Sequence, residues 1–456
     1  MRSADLVIKN GRVAISSSLR SVAVAVSKGG VAWIGQNSNA PSAARVVNAT
    51  GLLVLPGVID VHVHMRDPGA TYKEDFRTGT AAAAAGGVTT VFDMPNNSPP
   101  TTDVRAFMAK ERSARKAIVD YALYGALTAG NGPYLPELIS SGAIGFKWYM
   151  AETTGRVPPP PEEELKRDLA TLSKAGARLA VHAEDDKTVQ VRISELKELG
   201  RNDPLAHYDS RPGKVEEVAV RRALTLAREA RCDIHVAHLS SEGGARAVRK
   251  AKLARSRGFT VTAETCPQYL LLDKDDYADK GPMMKVNPSV KRRADRLALW
   301  RAVRNGTVDM IATDHAPHTL AEKTSGASIF EQPSGFPGLE TSVGLMLTCV
   351  NRGLLSLSRY VQLTSEGPAR AWRLFPKKGR IAVGSDADFT VVDPRLEWRV
   401  DPAKFVSKAK YSPFEGFKAK GAAVYTIVRG AVVMERGHID YGHRGEMQRP
   451  LARGRG

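Results

Sequence analysis

Cysteine is scarce in this chain, and the usual signals for export or membrane insertion are missing. The 456 residues include three cysteines, Cys232, Cys266 and Cys349, and no two of them form a Cys-x-x-Cys pair. A disulfide framework is therefore excluded, and a reducing compartment is expected. No run of about 18 uncharged apolar residues occurs, and the N-terminus has no apolar signal segment. We therefore expect a cytoplasmic protein without a membrane span.

Acidic residues are outnumbered by basic ones. Aspartate and glutamate total 48 against 66 lysines and arginines, which gives a net charge of +18. The basic residues are spread along the chain with one local cluster in the tail 444–456, and no RNP, zinc-finger or helix-turn-helix signature accompanies them. Nucleic-acid binding is therefore not indicated. The charge balance instead favours a small anionic substrate.

The pattern of apolar residues separates two β-rich ends from a long alternating centre. Residues 4–49 and 387–437 alternate apolar and polar positions between Gly and Asn turn signals, which is typical of short strands. Because chain termini often lie close together, we expect the two ends to pair as one small β-sandwich. The expected boundaries are 1–52 and 371–456 for the sandwich and 53–370 for the centre.

The centre consists of apolar runs that alternate with helical stretches. The runs are Val58–Val63, Val88–Asp93, Ile118–Tyr124, Ile144–Tyr149, Arg178–Val181, Asp233–Ala237, Phe259–Ala263 and Val308–Ala312. The clearest helical stretches are Asp75–Ala85, Glu162–Lys174, Lys214–Glu229, Gly243–Arg257 and Ala294–Arg304. Buried parallel strands between helices, eight times over, predict an α/β fold of the (β/α)8 TIM-like barrel type. An open doubly wound sheet is the alternative, but no GxGxxG follows the first strand.

Polar residues with metal-binding side chains stand where these runs end. His62 and His64 alternate on the first strand, so both face the same side. His182 and His238 follow the fifth and sixth strands, and Asp314 follows the eighth. In a barrel these positions converge on the C-terminal face, where the active sites of this fold lie. Imidazole and carboxylate ligands suit Zn²⁺, although Co²⁺ or Mn²⁺ would bind them too.

Lys147, at the end of the fourth strand, is the unusual member of this group. A buried ammonium beside divalent cations would be repelled by them. In one interpretation CO₂ carbamylates the lysine, which makes it an anionic ligand that can bridge two metals. In the other, the ammonium pairs with a carboxylate such as Glu152 or Asp314. The chemistry alone leaves both open.

Several segments resemble the amidohydrolase superfamily of cyclic-amide hydrolases, and more closely its long-chain dihydroorotases. They are DVHVHMRDPG, GFKWYMAET, VHAED, VAHLSS and ATDHAPH, with GLLVLPGVIDVHVH and GRIAVGSDADFTVVDP towards the ends. The histidine and aspartate motifs are shared with hydantoinases and allantoinases. Arg66 and Asn96 are more discriminating, since they resemble the dihydroorotase pair that holds a substrate carboxylate. MPNN, CPQYL and NPSVK depart from the usual dihydroorotase segments.

The resemblance implies a role for each matching residue. His62, His64 and Asp314 would bind one divalent metal ion, and His182 and His238 a second. The two implied zinc ions would be bridged by carbamylated Lys147, and Asp314 would also act as the catalytic base and then acid. The implied substrate-binding residues are Arg66, Asn96 and His318, around the carboxylate, and Asn287, near the ring.

The function that the resemblance implies is the reversible conversion of dihydroorotate and N-carbamoyl-L-aspartate in pyrimidine (UMP) biosynthesis. The alternatives are a hydantoinase or dihydropyrimidinase, an allantoinase, or a silent barrel that serves as a scaffold for a carbamoyltransferase. The last is disfavoured because every candidate metal ligand is present. A homodimer and an aspartate carbamoyltransferase partner are compatible with the resemblance.

Two further histidines and one proline-rich loop are not assigned to the site. His207 lies in a polar segment and is expected at the surface, and His235 is expected in the outer layer of the barrel. Pro158–Pro161 follow the fourth strand and are expected to form either a lid over the mouth or a plain surface loop.

Overall fold

The computed structural model describes residues 3–16, 18–152, 155, 157–254 and 258–452. The strands are β1 Ala4–Lys9, β2 Arg12–Ile15, β3 Ser18–Ser21, β4 Ala23–Ser27, β5 Gly30–Gly35, β6 Ala43–Asn48, β7 Leu53–Pro56, β8 Val58–Val63, β9 Val88–Asp93, β10 Asp120–Leu123, β11 Gly125–Leu127, β12 Phe146–Tyr149, β13 Leu179–His182, β14 Ile234–Val236, β15 Val261–Thr265, β16 Met310–Ile311, β17 Phe389–Arg399, β18 Lys418–Val428, β19 Ala431–Glu435 and β20 His438–Ile439.

The helices alternate with the central strands. They are α1 Phe76–Gly86, α2 Val104–Ala114, α3 Leu135–Ser141, α4 Glu162–Ala175, α5 Asp186–Glu198, α6 Pro204–Ser210, α7 Gly213–Ala230, α8 Glu242–Leu253, α9 Pro267–Leu271, α10 Tyr277–Lys280, α11 Arg293–Arg304, α12 Leu320–Thr324, α13 Leu339–Asn351, α14 Leu357–Val361 and α15 Gly367–Ala371, with a π-helical turn over Gln362–Glu366. The helix expected over Gly243–Arg257 is observed as α8, and residues 255–257 lie outside the described ranges.

The central strands form the predicted parallel barrel. The strands β8, β9 and β10 pair in parallel, and so do β11 to β16 in chain order. The barrel closes where His64 N donates to His315 O at 2.7 Å, beside a parallel bridge between Val63 and His315. The fold class predicted from the alternating runs is therefore confirmed.

The third barrel strand differs from its predicted form. The sequence predicts one strand over Ile118–Tyr124, but the structure has two short strands that are separated by Tyr124. The first, β10, pairs with β9, and the second, β11, pairs with β12. Gly125 permits the change of partner, because a Cβ at this position would lie 2.8 Å from the ring of Phe146. The two halves together act as the third of eight strands.

Local sequence signals account for the ends of the helices. The Asp75 carboxylate accepts hydrogen bonds from Arg77 N and Thr78 N and so caps the start of α1. Gly87 ends this helix with a φ of 92°, which a residue with a side chain adopts only with strain. Ala81 to Ala84 between them are fully buried, so α1 packs closely against α13 and β18.

The two ends of the chain form the predicted β-sandwich. One sheet has the strand order β5-β4-β1-β6, and the other has the order β20-β19-β18-β17-β7-β2-β3. The second sheet joins the two ends directly, because β17 pairs antiparallel with β7. Leu6, Val54 and Phe389 are among the buried residues that fill the space between the sheets. The domain boundaries at 52/53 and 370/371 stay a prediction.

Part of the basic C-terminal tail belongs to the barrel. Tyr121 N donates to Glu446 O at 3.1 Å, and Gln448 N donates to Tyr121 O at 2.7 Å. Residues 446–448 are therefore held beside β10, and residues 453–456 lie outside the described ranges. Among the helices described, none combines the length and the apolar character needed to cross a membrane.

Candidate active site

Most of the predicted site residues meet in one cavity at the C-terminal mouth of the barrel. The cavity leaves about 470 Å³ free of protein atoms. Its walls include eight of the ten predicted residues: His62, His64, Arg66, Asn96, His182, His238, Asn287 and Asp314. Lys147 is fully buried and does not line the cavity, and His318 lies behind Arg66.

The first group of ligand-type atoms surrounds Asp314. Its Oδ1 atom lies 3.3 Å from His62 Nε2 and 3.2 Å from His64 Nε2. One ligand atom from each of these three buried residues lies within 4.8 Å of the others, so the three can share one metal ion. Burial alone would raise the pKa of Asp314, but the neighbouring imidazoles and Lys147 lower it overall. The carboxylate form, which binds metals, is thus favoured.

The second group consists of two facing imidazoles. His182 Nδ1 lies 3.0 Å from His238 Nε2, and the ring centroids are 4.7 Å apart. His238 also lies beside the first group, with its ring centroid 5.1 Å from that of His62. Burial lowers the pKa of both His182 and His238. Both rings are therefore neutral at pH 7, which is the form that donates a lone pair to a metal.

Lys147 lies on β12, which pairs with the strand β13 that ends in His182, and is completely buried. Its Nζ atom has no hydrogen-bond partner among the described residues, and the ion pair considered with Glu152 or Asp314 is not formed within them. Burial lowers the pKa of Lys147 to about 8. A buried amine without a partner is costly in a folded protein, so this atom has the environment of a group that gains its partners from something bound or attached.

Two glutamates that the sequence analysis did not assign hold the histidines in place. Glu264 on β15 is buried, and its carboxylate lies 2.5 Å from His62 Nδ1 and 3.1 Å from His238 N. Glu184 lies 2.9 Å from His182 Nε2. Carboxylates that bind the second ring nitrogen of a histidine fix its orientation for a metal on the first. An isolated glutamate in the apolar run VTAETC was the available signal for Glu264.

Two expectations about other histidines are wrong. His235 does not face the outer layer but lies inside the barrel, 3.0 Å from Glu264 Oε2 and with its ring centroid 4.7 Å from that of Trp372. His207 is buried rather than exposed, and its Nε2 donates to Val286 O at 2.9 Å. In both cases a partner from a distant segment, which sequence spacing does not reveal, explains the burial.

Arg66 presents a buried positive charge to the cavity. Its φ of 58° turns the chain just after His64, its Nε donates to Pro317 O at 3.1 Å, and its Nη2 lies 3.2 Å from His318 Nε2. No carboxylate in the described part of the chain forms an ion pair with it. The next two carboxylates along the chain, Asp67 and Glu74, are engaged elsewhere. Asp67 pairs with Lys116 at 2.6 Å, and Glu74 lies 3.5 Å from His315.

The three other predicted substrate residues make different contacts. Asn96 Oδ1 lies 2.7 Å from His64 Nδ1, so this amide orients a histidine as well as lining the cavity. Asn287 Oδ1 accepts a hydrogen bond from Ser334 Oγ at 3.1 Å. His318 contacts Arg66 and Ser334 O without reaching the cavity wall, so it positions Arg66.

Another cluster of carboxylates, outside the cavity, is neutralised by a lysine. Asp120, Asp386 and Asp388 lie close enough to hold a cation. However, Lys378 Nζ lies among them, 2.7 Å from Asp120 Oδ2 and 2.6 Å from Asp388 Oδ2. The ammonium takes the place that a metal would need, and the cluster instead ties the barrel to the sandwich.

The residues at the mouth fit bound divalent cations. Asp314 and two imidazoles offer three ligand atoms, His182 and His238 direct two more nitrogens at each other, and Lys147 has an orphaned nitrogen. Together with the barrel, this set of side chains is typical of metal-dependent hydrolases.

Comparison with known proteins gives the family. The chain belongs to the amidohydrolase family, whose model matches residues 53–433. A dihydroorotase of Methanosarcina mazei is 40% identical over 437 residues and covers 94% of each chain. An allantoinase of Solibacter usitatus is 36% identical over 453 residues, covering 98% of this chain and 97% of its own. The solved structure of the L-hydantoinase from Arthrobacter aurescens has a TM-score of 0.93 and 36% identity, covering 98% and 99% of the two chains.

Proposed function

We propose that this enzyme is a dihydroorotase, which interconverts dihydroorotate and N-carbamoyl-L-aspartate in pyrimidine biosynthesis. The single observation that favours it over other cyclic-amide hydrolases is Arg66. This guanidinium is 6% exposed, lines the cavity beside the metal ligands, and lacks a carboxylate partner within the described residues. A planar guanidinium matches a carboxylate in a bidentate geometry, and dihydroorotate has a carboxylate on its ring whereas hydantoin and dihydrouracil do not.

The proposal assigns the metal ligands to ligand-type side chains that lie close together at the barrel mouth. His62, His64 and Asp314 would hold one ion, and His182 and His238 a second. Divalent ions bound there would supply an activated water at neutral pH and a Lewis acid for the amide carbonyl. A carbamate, formed from the Lys147 amine and CO₂ with loss of one proton, would add two oxygen ligands and turn a repelled cation into an anion. Zinc is the default ion for this ligand set.

The protein's own groups then handle the substrate and the proton. Arg66 and Asn287 orient the ring through its carboxylate and polar edge, with His318 positioning Arg66. The attacking water loses a proton to Asp314, whose carboxylate is the form favoured in the site. When the ring C–N bond breaks, Asp314 returns that proton to the leaving nitrogen. The reverse sequence closes carbamoyl-aspartate into the ring with loss of water.

A hydantoinase is the second candidate, because the L-hydantoinase fold matches over nearly the whole chain. It would act on neutral rings, which offer no carboxylate to Arg66. A non-catalytic scaffold for a carbamoyltransferase is the candidate from another class, and the intact set of ligand-type residues argues against it. A homodimer and an aspartate carbamoyltransferase partner stay predictions.

Replacing Arg66 with methionine is expected to discriminate between anionic and neutral substrates. The variant loses a charge-assisted contact worth roughly 1.5–3 kcal/mol per hydrogen bond. We expect kcat/KM for dihydroorotate to fall by about 10-fold to 150-fold for each such bond, with bound metal unaltered. The turnover of a neutral hydantoin by the same variant serves as the control and is expected to change little. Equal losses on both substrates would mean that Arg66 is structural.

A further inference from the structure

A second cavity opens beside the first and shares part of its wall. It leaves about 910 Å³ free of protein atoms and is open to solvent. Glu152, Asn287 and Ser334 line both cavities, whereas Arg66 lines only the first. A substituent that leaves the ring on the side of Asn287 would therefore enter the second cavity rather than approach Arg66.

Three basic residues line this second cavity. Lys197 comes from α5, Arg211 follows α6, and Lys285 lies shortly before Asn287. Within the described ranges, neither Lys197 nor Lys285 forms an ion pair with a carboxylate. Lys285 is 6% exposed, and its Nζ donates to the backbone oxygens of Ile329 and Gln332. The ammonium is therefore held in a fixed position by neutral acceptors.

Arg211 contributes a polar atom without a partner. Its Nη1 donates to Glu184 Oε2 at 2.6 Å, which accounts for one end of the guanidinium. Its Nε atom is buried and has no hydrogen-bond partner among the described residues. The residue as a whole is 6% exposed. A buried N–H without an acceptor in the chain is free to bind one that comes from outside the chain.

The charges that line the cavity also favour a bound anion. Burial and the positive charges of Arg211 and Lys197 lower the pKa of Lys285 to about 7. Arg211 is paired with Glu184, which does not line the cavity, at 2.6 Å. Glu152, exposed at the shared rim, is the carboxylate among the described lining residues, and it forms no ion pair with Lys197 or Lys285 in the described part of the chain. An anion bound near Lys197 and Lys285 would offset the two positive charges that lack a carboxylate partner.

We propose that the second cavity is an anion-binding subsite for the carboxylate of a flexible substituent on the cyclic amide. The inference rests on the proposed activity, and it extends the substrate class to cyclic ureides with an acidic side chain and to the longer N-carbamoyl dicarboxylic acids that they yield. Ile193 and Phe330 supply an apolar wall for the methylene groups of such a side chain. Lys197 Nζ lies 5.7 Å from the centre of the Phe330 ring, above that wall.

Binding of two matched probes tests the subsite independently of turnover. The probes are hydantoin-5-propionate and its primary amide, which differ by one charge, and their Kd values are measured by calorimetry on the metal-loaded enzyme. We expect the wild type to bind the acid at least roughly 10-fold more tightly than the amide. Lys285→Met and Lys197→Met should each reduce that ratio several-fold. Lys187→Met, an exposed lysine of the same helix α5 that does not line the cavity, should leave it unchanged.

Each outcome decides the proposal. A ratio near one in the wild type, no binding of the acid, or a ratio that collapses in Arg66→Met and survives in Lys197→Met would overturn it. If Lys285→Met fails to fold, the affinity ratio measured on Lys197→Met, a change at an exposed residue, tests the proposal alone. Dihydroorotate turnover is assayed separately, so an enzyme that ignores dihydroorotate yet retains the acid preference would refute the proposed function while supporting the subsite.

Discussion

Lys147→Ala is expected to lose both bound metal and activity. Lys147 on β12 has a fully buried amine that finds no hydrogen-bond partner among the described residues. It interacts electrostatically with His182 and Asp314. Removing groups that merely orient metal ligands typically lowers metal affinity or activity by about 10-fold to 100-fold. If Lys147 is the proposed bridging ligand, its removal should lower kcat by more than about 100-fold. Metal content by elemental analysis and kcat for dihydroorotate, measured on the same preparation, check this result.

Chemical rescue separates a missing ligand from a damaged fold. Short carboxylic acids such as acetate should partly restore metal and activity to Lys147→Ala, because they replace the two oxygens of a carbamate. His238→Ala should show a similar loss without such rescue, since it lacks a nitrogen ligand instead. Labelled bicarbonate should give a carbamate ¹³C signal in the wild type that Lys147→Ala lacks. Full metal content and activity in Lys147→Ala would refute a bridging role.

Asp314→Asn is the second change with a large expected effect. The substitution keeps the shape of the side chain but removes the charge that lies 3.2–3.3 Å from two histidines. Loss of a positioned general base and acid typically costs about 10²-fold to 10⁴-fold in rate. We therefore expect kcat to fall by at least that amount in both directions of the reaction, together with a lower metal content.

Asp309→Asn is the matched control for this change. Asp309 precedes β16 at the opposite end of the same strand, where it pairs with Lys252 at 2.6 Å. Its loss should alter thermal stability and leave kcat nearly constant. If Asp314→Asn retains wild-type kcat, or if the two variants lose activity equally, the assigned role of Asp314 is wrong.

The barrel and the grouping of several site residues could be predicted from sequence patterns for a clear physical reason. Buried parallel strands read as continuous apolar runs, and Val58–Val63 and Val88–Asp93 were predicted with the bounds that the structure shows. Because the carboxyl ends of parallel strands meet at one face, residues such as His62, His182 and Asp314 could be placed together without knowledge of any contact.

The remaining features depend on contacts between distant segments. Glu264 reaches His62 across two hundred residues of sequence, and His207 is buried by the backbone of Val286. The basic cavity likewise needs Lys197, Arg211 and Lys285 to converge from a helix and two loops. Neither periodicity nor spacing specifies how loops fold over a barrel mouth, so these residues could not be assigned from the sequence.

One substrate panel tests the central claim most directly. The metal-loaded wild type is assayed for kcat/KM with dihydroorotate, hydantoin, dihydrouracil and allantoin under identical conditions. Arg66 is buried and has no carboxylate partner in the described part of the chain, so we expect dihydroorotate to be preferred by about 10-fold or more, since the other three rings lack a carboxylate. A higher kcat/KM for any of the neutral rings would contradict the assignment as a dihydroorotase.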